Sequence, residues 1–205
     1  MAAKFIPIGQ PAHDAERQAL RFLVEGLPDR YTVYGNPWLV ERNGGVIYEL
    51  DAVVVAPHAV FVVEIKSYRG RVEGTDHDWY VPNPMPSPLK LNRLTAQVLK
   101  TQLKRESWHA GQIWVEGLIF LSATTDFEIA GSASRDRIHS RRTILAALQD
   151  PAMIERLTGH RSLHPTADGE ADLMRLLQGA QGGRRPVRRV REYEILERLS
   201  HHQTS

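Results

Sequence analysis

Two β-rich runs lie back to back in the first third of the chain, Val46–Ala56 and Val60–Lys66, separated only by Pro57-His58-Ala59. Both are dominated by Val, Ile, Phe and Tyr, and a proline-led turn between such runs specifies a hairpin. Taking Pro57-His58 as a two-residue tip fixes the register. Val55 then faces Val60, Val53 faces Val62, and Asp51 faces Glu64. Directly opposed residues point to one face, with Cβ atoms about 4.5–5.5 Å apart. Lys66, two residues beyond Glu64, shares that face and falls opposite Glu49. Carboxylates and an ammonium therefore converge where an all-valine stretch ends. Adjacent carboxylates repel, and a hard divalent cation such as Mg²⁺ or Mn²⁺ relieves the repulsion. A neighbouring lysine can steer water or neutralise charge in a phosphoryl transition state. The competing reading is a strand-edge salt bridge of Lys66 with Glu64 or Glu49.

The rest of the sequence supplies elements to flank this hairpin. Gln10-Pro11 starts a helix, Ala19, Leu20, Phe22, Leu23 and Val24 give it an apolar side, and Gly26-Leu27-Pro28 stops it. Glu16 lies four residues before Leu20 and seven before Leu23, on the same face. A carboxylate there needs a partner, a metal or a place at the rim of the stripe. Tyr31–Tyr34 and Trp38–Val40 read as strands around the Asn36-Pro37 turn, and Ser67–Gly74 as a polar turn before a short strand at Trp79–Val81. Pro82–Pro88 reads as an irregular connection. Leu89–Trp108 reads as a long helix, Val115–Ser122 as a strand, and Ile144–Leu148, Pro151–Thr158 and Gly169–Leu177 as short helices. The order predicts an α/β domain with a mixed β-sheet flanked by helices.

At 205 residues the chain can bury one sizeable core. Its 42% hydrophobic and 24% charged residues exclude global disorder and coiled coil. Charged residues interrupt the apolar runs, so no segment reads as a membrane span, and no secretory signal opens the chain; a cytoplasmic location is expected. The absence of cysteine excludes disulfides and thiolate metal sites. Nine histidines show no metal-ligand spacing and read as surface residues, while Trp79, Trp108 and Trp114 read as core. Lys100, Lys104 and Arg105 read as a solvated helix face.

The arrangement Asp51…Glu64-Ile65-Lys66 resembles the core of the PD-(D/E)XK nucleases. The longer stretch Leu50–Gly74 with Trp79, and Asn36-Pro37-Trp38-Leu39 upstream, resembles the nuclease-related domain (NERD) family within that superfamily. The helix bearing Glu16 matches the family's first helix, and Ser87-Pro88-Leu89 leading to Gln97 is similar to its Pro-Leu and Gln segment. Ala59 stands where the family commonly has glycine. The resemblance implies a restriction-endonuclease-like fold, metal-dependent phosphodiester hydrolysis and DNA as substrate. It implies Asp51, Glu64 and the Ile65 backbone carbonyl as ligands of Mg²⁺ or Mn²⁺. Lys66 would position the attacking water, Glu16 would complete or buttress the site, and Gln97 would join it. A catalytically inactive module that binds nucleic acid or a partner protein is the alternative.

The C-terminal region reads as a separate unit. Residues 1–180 form the nuclease-like domain, and 181–191, with five arginines between Arg184 and Arg191, a basic linker. Residues 192–205 read as a terminal helix or the start of a kinase domain. Val190–Leu199 resembles the first strand of a protein kinase N-lobe, an architecture similar to nuclease-plus-kinase proteins of bacterial phage defence.

Overall fold

A computed structural model describes residues 1–40, 46–159 and 163–179. The strand alternation written into the hairpin organises everything else. β1 (Lys4–Pro7), β2 (Thr32–Gly35), β5 (Ala52–Val55), β6 (Val60–Lys66), β10 (Val115–Leu121) and β12 (Ile138–Ser140) form a six-stranded sheet in the order β1-β2-β5-β6-β10-β12. β2–β5 and β5–β6 are antiparallel, while β1–β2, β6–β10 and β10–β12 are parallel. This is a restriction-endonuclease-like mixed sheet with helices on both faces.

The expected register holds, with Val55 opposite Val60 and Val53 opposite Val62. These four valines pack on one face against Ala96, Leu99 and Leu103 of α2 (Leu89–Glu106) and Leu173 and Leu177 of α6 (Glu170–Gly179). Val54, Phe61, Val63 and Ile65 pack on the other, against Leu20 and Leu23 of α1 (Asp14–Gly26) and Ile144 and Leu148 of α4 (Ile144–Gln149). A one-residue slip would exchange the two sets. Each buried valine contributes about 1.5–3 kcal/mol relative to exposure, but both faces are apolar, so the valines alone do not forbid the slip. What a slip would bury is Glu64 and Lys66.

The Val46–Ala56 run is not one strand. It breaks at Leu50-Asp51 into β4 (Ile47–Glu49) and β5, and β4 pairs with β3 (Trp38–Val40) in a separate ribbon where Glu49 faces Trp38. The backbone of the Asn36-Pro37 turn captures the chain at the break. Leu50 N–H donates to the Pro37 carbonyl at 3.0 Å, and Asn36 N–H to the Asp51 carbonyl at 3.0 Å. Glu49 is thus removed from the position opposite Lys66.

Further elements differ from the sequence reading, β12 among them. β1 precedes the first helix, since Lys4 N–H and Ile8 N–H reach the Tyr31 and Gly35 carbonyls. The polar turn contains β7 (Val72–Thr75), and the proline segment contains β9 (Asn83–Pro86). With β8 (Asp78–Val81) and β11 (Phe127–Ala130) they form a four-stranded sheet in the order β11-β7-β8-β9. β9 is an edge strand. Ser87 N–H points inward to His77 O, so by alternation Pro84 and Pro86 present their missing N–H groups to the open edge, where prolines are tolerated. The long helix ends at Glu106, because Ser107 caps a new helix, α3 (Trp108–Gln112), accepting from Ala110 N–H at 3.1 Å. α5 (Pro151–Thr158) and a 3₁₀ turn at Thr166–Gly169 complete the described chain.

Trp79 is fully buried as expected, but Trp108 is 66% exposed. Trp108 opens α3 on the surface, edge-on to His109 and His164. His139 is buried, with Nε2 against the Asp136 carbonyl at 3.1 Å, and burial lowers its pKa. Among the described residues no helix is long and apolar enough to cross a membrane. The basic linker and the kinase-like stretch lie outside the described residues.

Candidate active site

Strand direction places the site. β2 ends at Gly35 where β5 begins at Ala52, and β6 ends beside them at Lys66, so three strands bring their polar termini to one edge. Asp51 sits at the bend just before β5. Its Oδ2 accepts from the Ile65 N–H at 2.7 Å, which extends the β5–β6 contact by a side chain where the backbone ladder stops. Backbone groups of even-numbered residues in β6 turn towards β10, as the Val60 N–H to Trp114 O and Ser122 N–H to Lys66 O bonds show. Ile65 therefore turns its N–H and carbonyl to the Asp51 side.

Glu64 and Lys66 share the face of Val60 and Val62. Lys66 Nζ lies 2.9 Å from Glu64 Oε1, with the two side chains only 13% and 22% exposed. Asp51 feels this neighbourhood strongly. Burial and then the Glu64 carboxylate hold its pKa well above the usual carboxylate range, and Glu16 adds to the effect. The Ile65 N–H and Lys66 oppose it.

Glu16 comes from the opposite face of the sheet. It is 3% exposed on α1, in line with Leu20 and Leu23, so the helical spacing placed it correctly. Its carboxylate is fully engaged. Ala12 N–H donates to Oε2 at 2.9 Å, His13 Nδ1 lies 3.3 Å from the same oxygen, and Asn36 Nδ2 donates to Oε1. Glu16, Asn36, Glu49 and Asp51 line one cleft of about 630 Å³.

Asn36 is the residue that sequence reading undervalued. It adopts φ +51°, and besides its bond to Glu16 its backbone N–H holds the Asp51 carbonyl. It therefore fixes the Glu16 helix to the Asp51 bend. Its signal was present, since asparagine is among the few side chains that tolerate this region, but it read only as a turn former.

The structure brings Asp51, Glu64, Lys66 and Glu16 together and leaves Gln97 out. Gln97 is exposed on α2 and lines a different cleft, with Val115 and Glu116 at the start of β10. Those residues pair with Val60 and Phe61, at the opposite end of β6 from Lys66. Gln97→Ala is accordingly expected to leave any activity of the carboxylate cleft within about twofold, measured as initial rate, in keeping with a surface substitution. A larger loss would place Gln97 back in the reaction.

The donor set suits a hard divalent cation in its chemistry: Asp51 and Glu64 carboxylates and the Ile65 carbonyl on the same side, with Glu16 as a buttress behind them. In the present arrangement Glu64 is turned to Lys66, and no three His, Asp or Glu side chains among the described residues close into a ligand cluster.

The model of the nuclease-related domain matches residues 11–122, more than half of the chain. The chain belongs to the nuclease-related domain family. The NERD match begins just before the Glu16 helix and ends where β10 does, so it encloses every residue of the carboxylate cluster. A relative described as a probable kinase, PglW of Streptomyces coelicolor, is 27% identical over 124 residues, which cover 55% of this chain and 8% of the relative. The NERD chain thus corresponds to a small part of that protein's length. No solved structure matches.

Proposed function

We propose that this domain hydrolyses DNA phosphodiester bonds with a divalent cation, Mg²⁺ or Mn²⁺. The observation that carries the reading is a half-buried Asp51 beside Glu64, with the Lys66 ammonium in ion-pair contact with Glu64, at a strand edge facing a cleft. Asp51, Glu64 and the Ile65 carbonyl would hold the cation, which when bound supplies Lewis-acid polarisation of the phosphate and lowers the pKa of water. The Ile65 N–H keeps Asp51 aimed while its oxygens are shared. Lys66, released in part from Glu64, would orient the attacking water and offset negative charge at phosphorus; the P–O bond to water forms as the P–O ester bond breaks, the water's proton passing to solvent and the departing ester oxygen taking one from it. Glu16 acts through Asn36, which holds the Asp51 bend in place.

Incubating the full chain with plasmid DNA in Mg²⁺, Mn²⁺ or EDTA tests this. Nicking or linearisation should scale with protein and stop in EDTA. Absence of cleavage under all metals would instead support the reading of a non-catalytic module that binds nucleic acid or a partner. The similarity to a protein described as a probable kinase favours that second reading in one respect, namely a domain serving an attached kinase. In that setting residues 1–180 form the nuclease-like unit, 181–191 a linker, and 192–205 the beginning of a further unit or a terminal helix. The nuclease-plus-kinase architecture that the chain resembles supports a cytoplasmic role in bacterial phage defence.

A further inference from the structure

The cleft that holds Gln97 has a charge balance that neither the fold nor the carboxylate site explains. It measures about 560 Å³ and is lined by Arg93, Lys100, Arg137 and Arg156 against one carboxylate, Glu116. Glu116 is already committed, lying 3.0 Å from Arg137 Nε. Arg156 faces Asp136 only loosely, at 3.6 Å. Arg93 makes no ion pair or side-chain hydrogen bond among the described residues. Lys100 is half-buried and pairs with no carboxylate among them.

Lys100 is the informative residue. Its ammonium is anchored, donating to the Gly111 carbonyl at 2.8 Å and to the Ile113 carbonyl. An ammonium has three donors, so one remains. Capping α3 carbonyls accounts for the anchoring. It does not account for a desolvated cation without an anion, nor for Arg93 on the same helical face seven residues earlier. Burial and the nearby Lys104 together lower the Lys100 pKa, as expected of an unneutralised site.

The geometry points to a phosphate-binding cleft, in which a phosphate group of a nucleotide-sized ligand sits among Arg93, Lys100 and Arg156. A phosphate monoester carries close to two charges and three acceptor oxygens, which suits guanidinium forks and a fixed ammonium better than a single carboxylate would. The volume lies in the range of small-ligand sites. The cleft is distinct from the carboxylate site. Glu116 pairs with Phe61, five residues before Lys66 on β6, which is about 16 Å along the strand. The inference therefore stands whether or not the domain cleaves DNA.

Calorimetric titration of the full chain at low salt, without divalent metal, tests it with three probes: inorganic phosphate, adenosine 5′-monophosphate and a 5′-phosphorylated oligonucleotide. Saturable binding of the mononucleotide is expected, weakened about tenfold by Arg93→Ala and by Arg156→Ala and unchanged by Asp51→Asn. Both arginines are exposed, so loss of folding does not confuse the result. Lys100→Met should weaken it further. If only the oligonucleotide binds, with the same dependence on these residues, the phosphate is that of a nucleic-acid end. If no probe saturates, or binding ignores Arg93 and Arg156, the inference is overturned and Lys100 is only a helix cap.

Discussion

Lys66→Met and Asp51→Ala are each expected to lower metal-dependent DNA cleavage by about 10²–10³-fold, the usual loss when one preorganised charge or donor leaves a reacting centre. The two substitutions act differently. Asp51→Ala would remove a proposed cation ligand and leave the Ile65 N–H without its acceptor. Lys66→Met keeps the length of the side chain but removes the ammonium 2.9 Å from Glu64. If Lys66 only neutralised Glu64, its loss would free that carboxylate for the cation, and cleavage would persist or rise. If it holds the attacking water, cleavage falls while metal affinity is kept or increased. Single-turnover rates at saturating Mn²⁺, with circular dichroism to confirm folding, separate these outcomes. A Lys66→Met protein that cleaves within a few-fold of wild type would reduce the Glu64–Lys66 pair to a structural salt bridge.

The pairing of Asp51, Glu64 and Lys66 was legible because strands carry a strict two-residue period. Once Pro57-His58 is taken as the tip, the turn itself sets the hairpin register. Glu16 was legible by the same logic at helical period. What failed had non-local causes. The displacement of Glu49 depends on Pro37 and Asn36 seizing the chain at Leu50-Asp51 through backbone hydrogen bonds, which side-chain pattern does not record. β9 hid behind its prolines, which are compatible with a strand only when one edge is open. β7 is mostly solvent-facing, so no apolar alternation marks it.

Distance along a helix sets Gln97 apart from the carboxylates. α2 begins near the Lys66 end of the sheet, where Leu89 packs with Ile119 and Leu121. Eight residues later it has travelled about 12 Å towards the other end. The same travel carries Lys100 to the start of β10, where it is half-buried rather than part of the solvated face its neighbours Lys104 and Arg105 present.

Without metal, Asp51→Asn is expected to stabilise the protein by about 0.5–2 kcal/mol at neutral pH, the range seen when an activity-related conflict is removed. Asparagine keeps an acceptor for the Ile65 N–H, whereas Asp51→Ala strands that buried donor, at a cost of about 1–3 kcal/mol. The order of stability should therefore be Asn above wild type above Ala. The pH dependence follows from the raised pKa of the native carboxyl. The folded state holds the proton more tightly than the unfolded chain, whose aspartates titrate near 3.8. The stabilising contribution of protonated Asp51 is complete below that value and is lost as pH rises through the elevated native pKa. The advantage of the Asn variant should accordingly be small in acid, grow with rising pH across this window, and then level off. Mg²⁺ or Mn²⁺ should reverse the ranking, because a cation that binds only the native wild-type carboxylates adds stability as its concentration exceeds its dissociation constant. Thermal melts of the three proteins across pH, with and without Mn²⁺, measure both effects. Strong destabilisation of Asp51→Asn in metal-free buffer, with no response of the wild type to cation, would show that Asp51 serves the Leu50–Ala52 bend and that the carboxylates hold no metal.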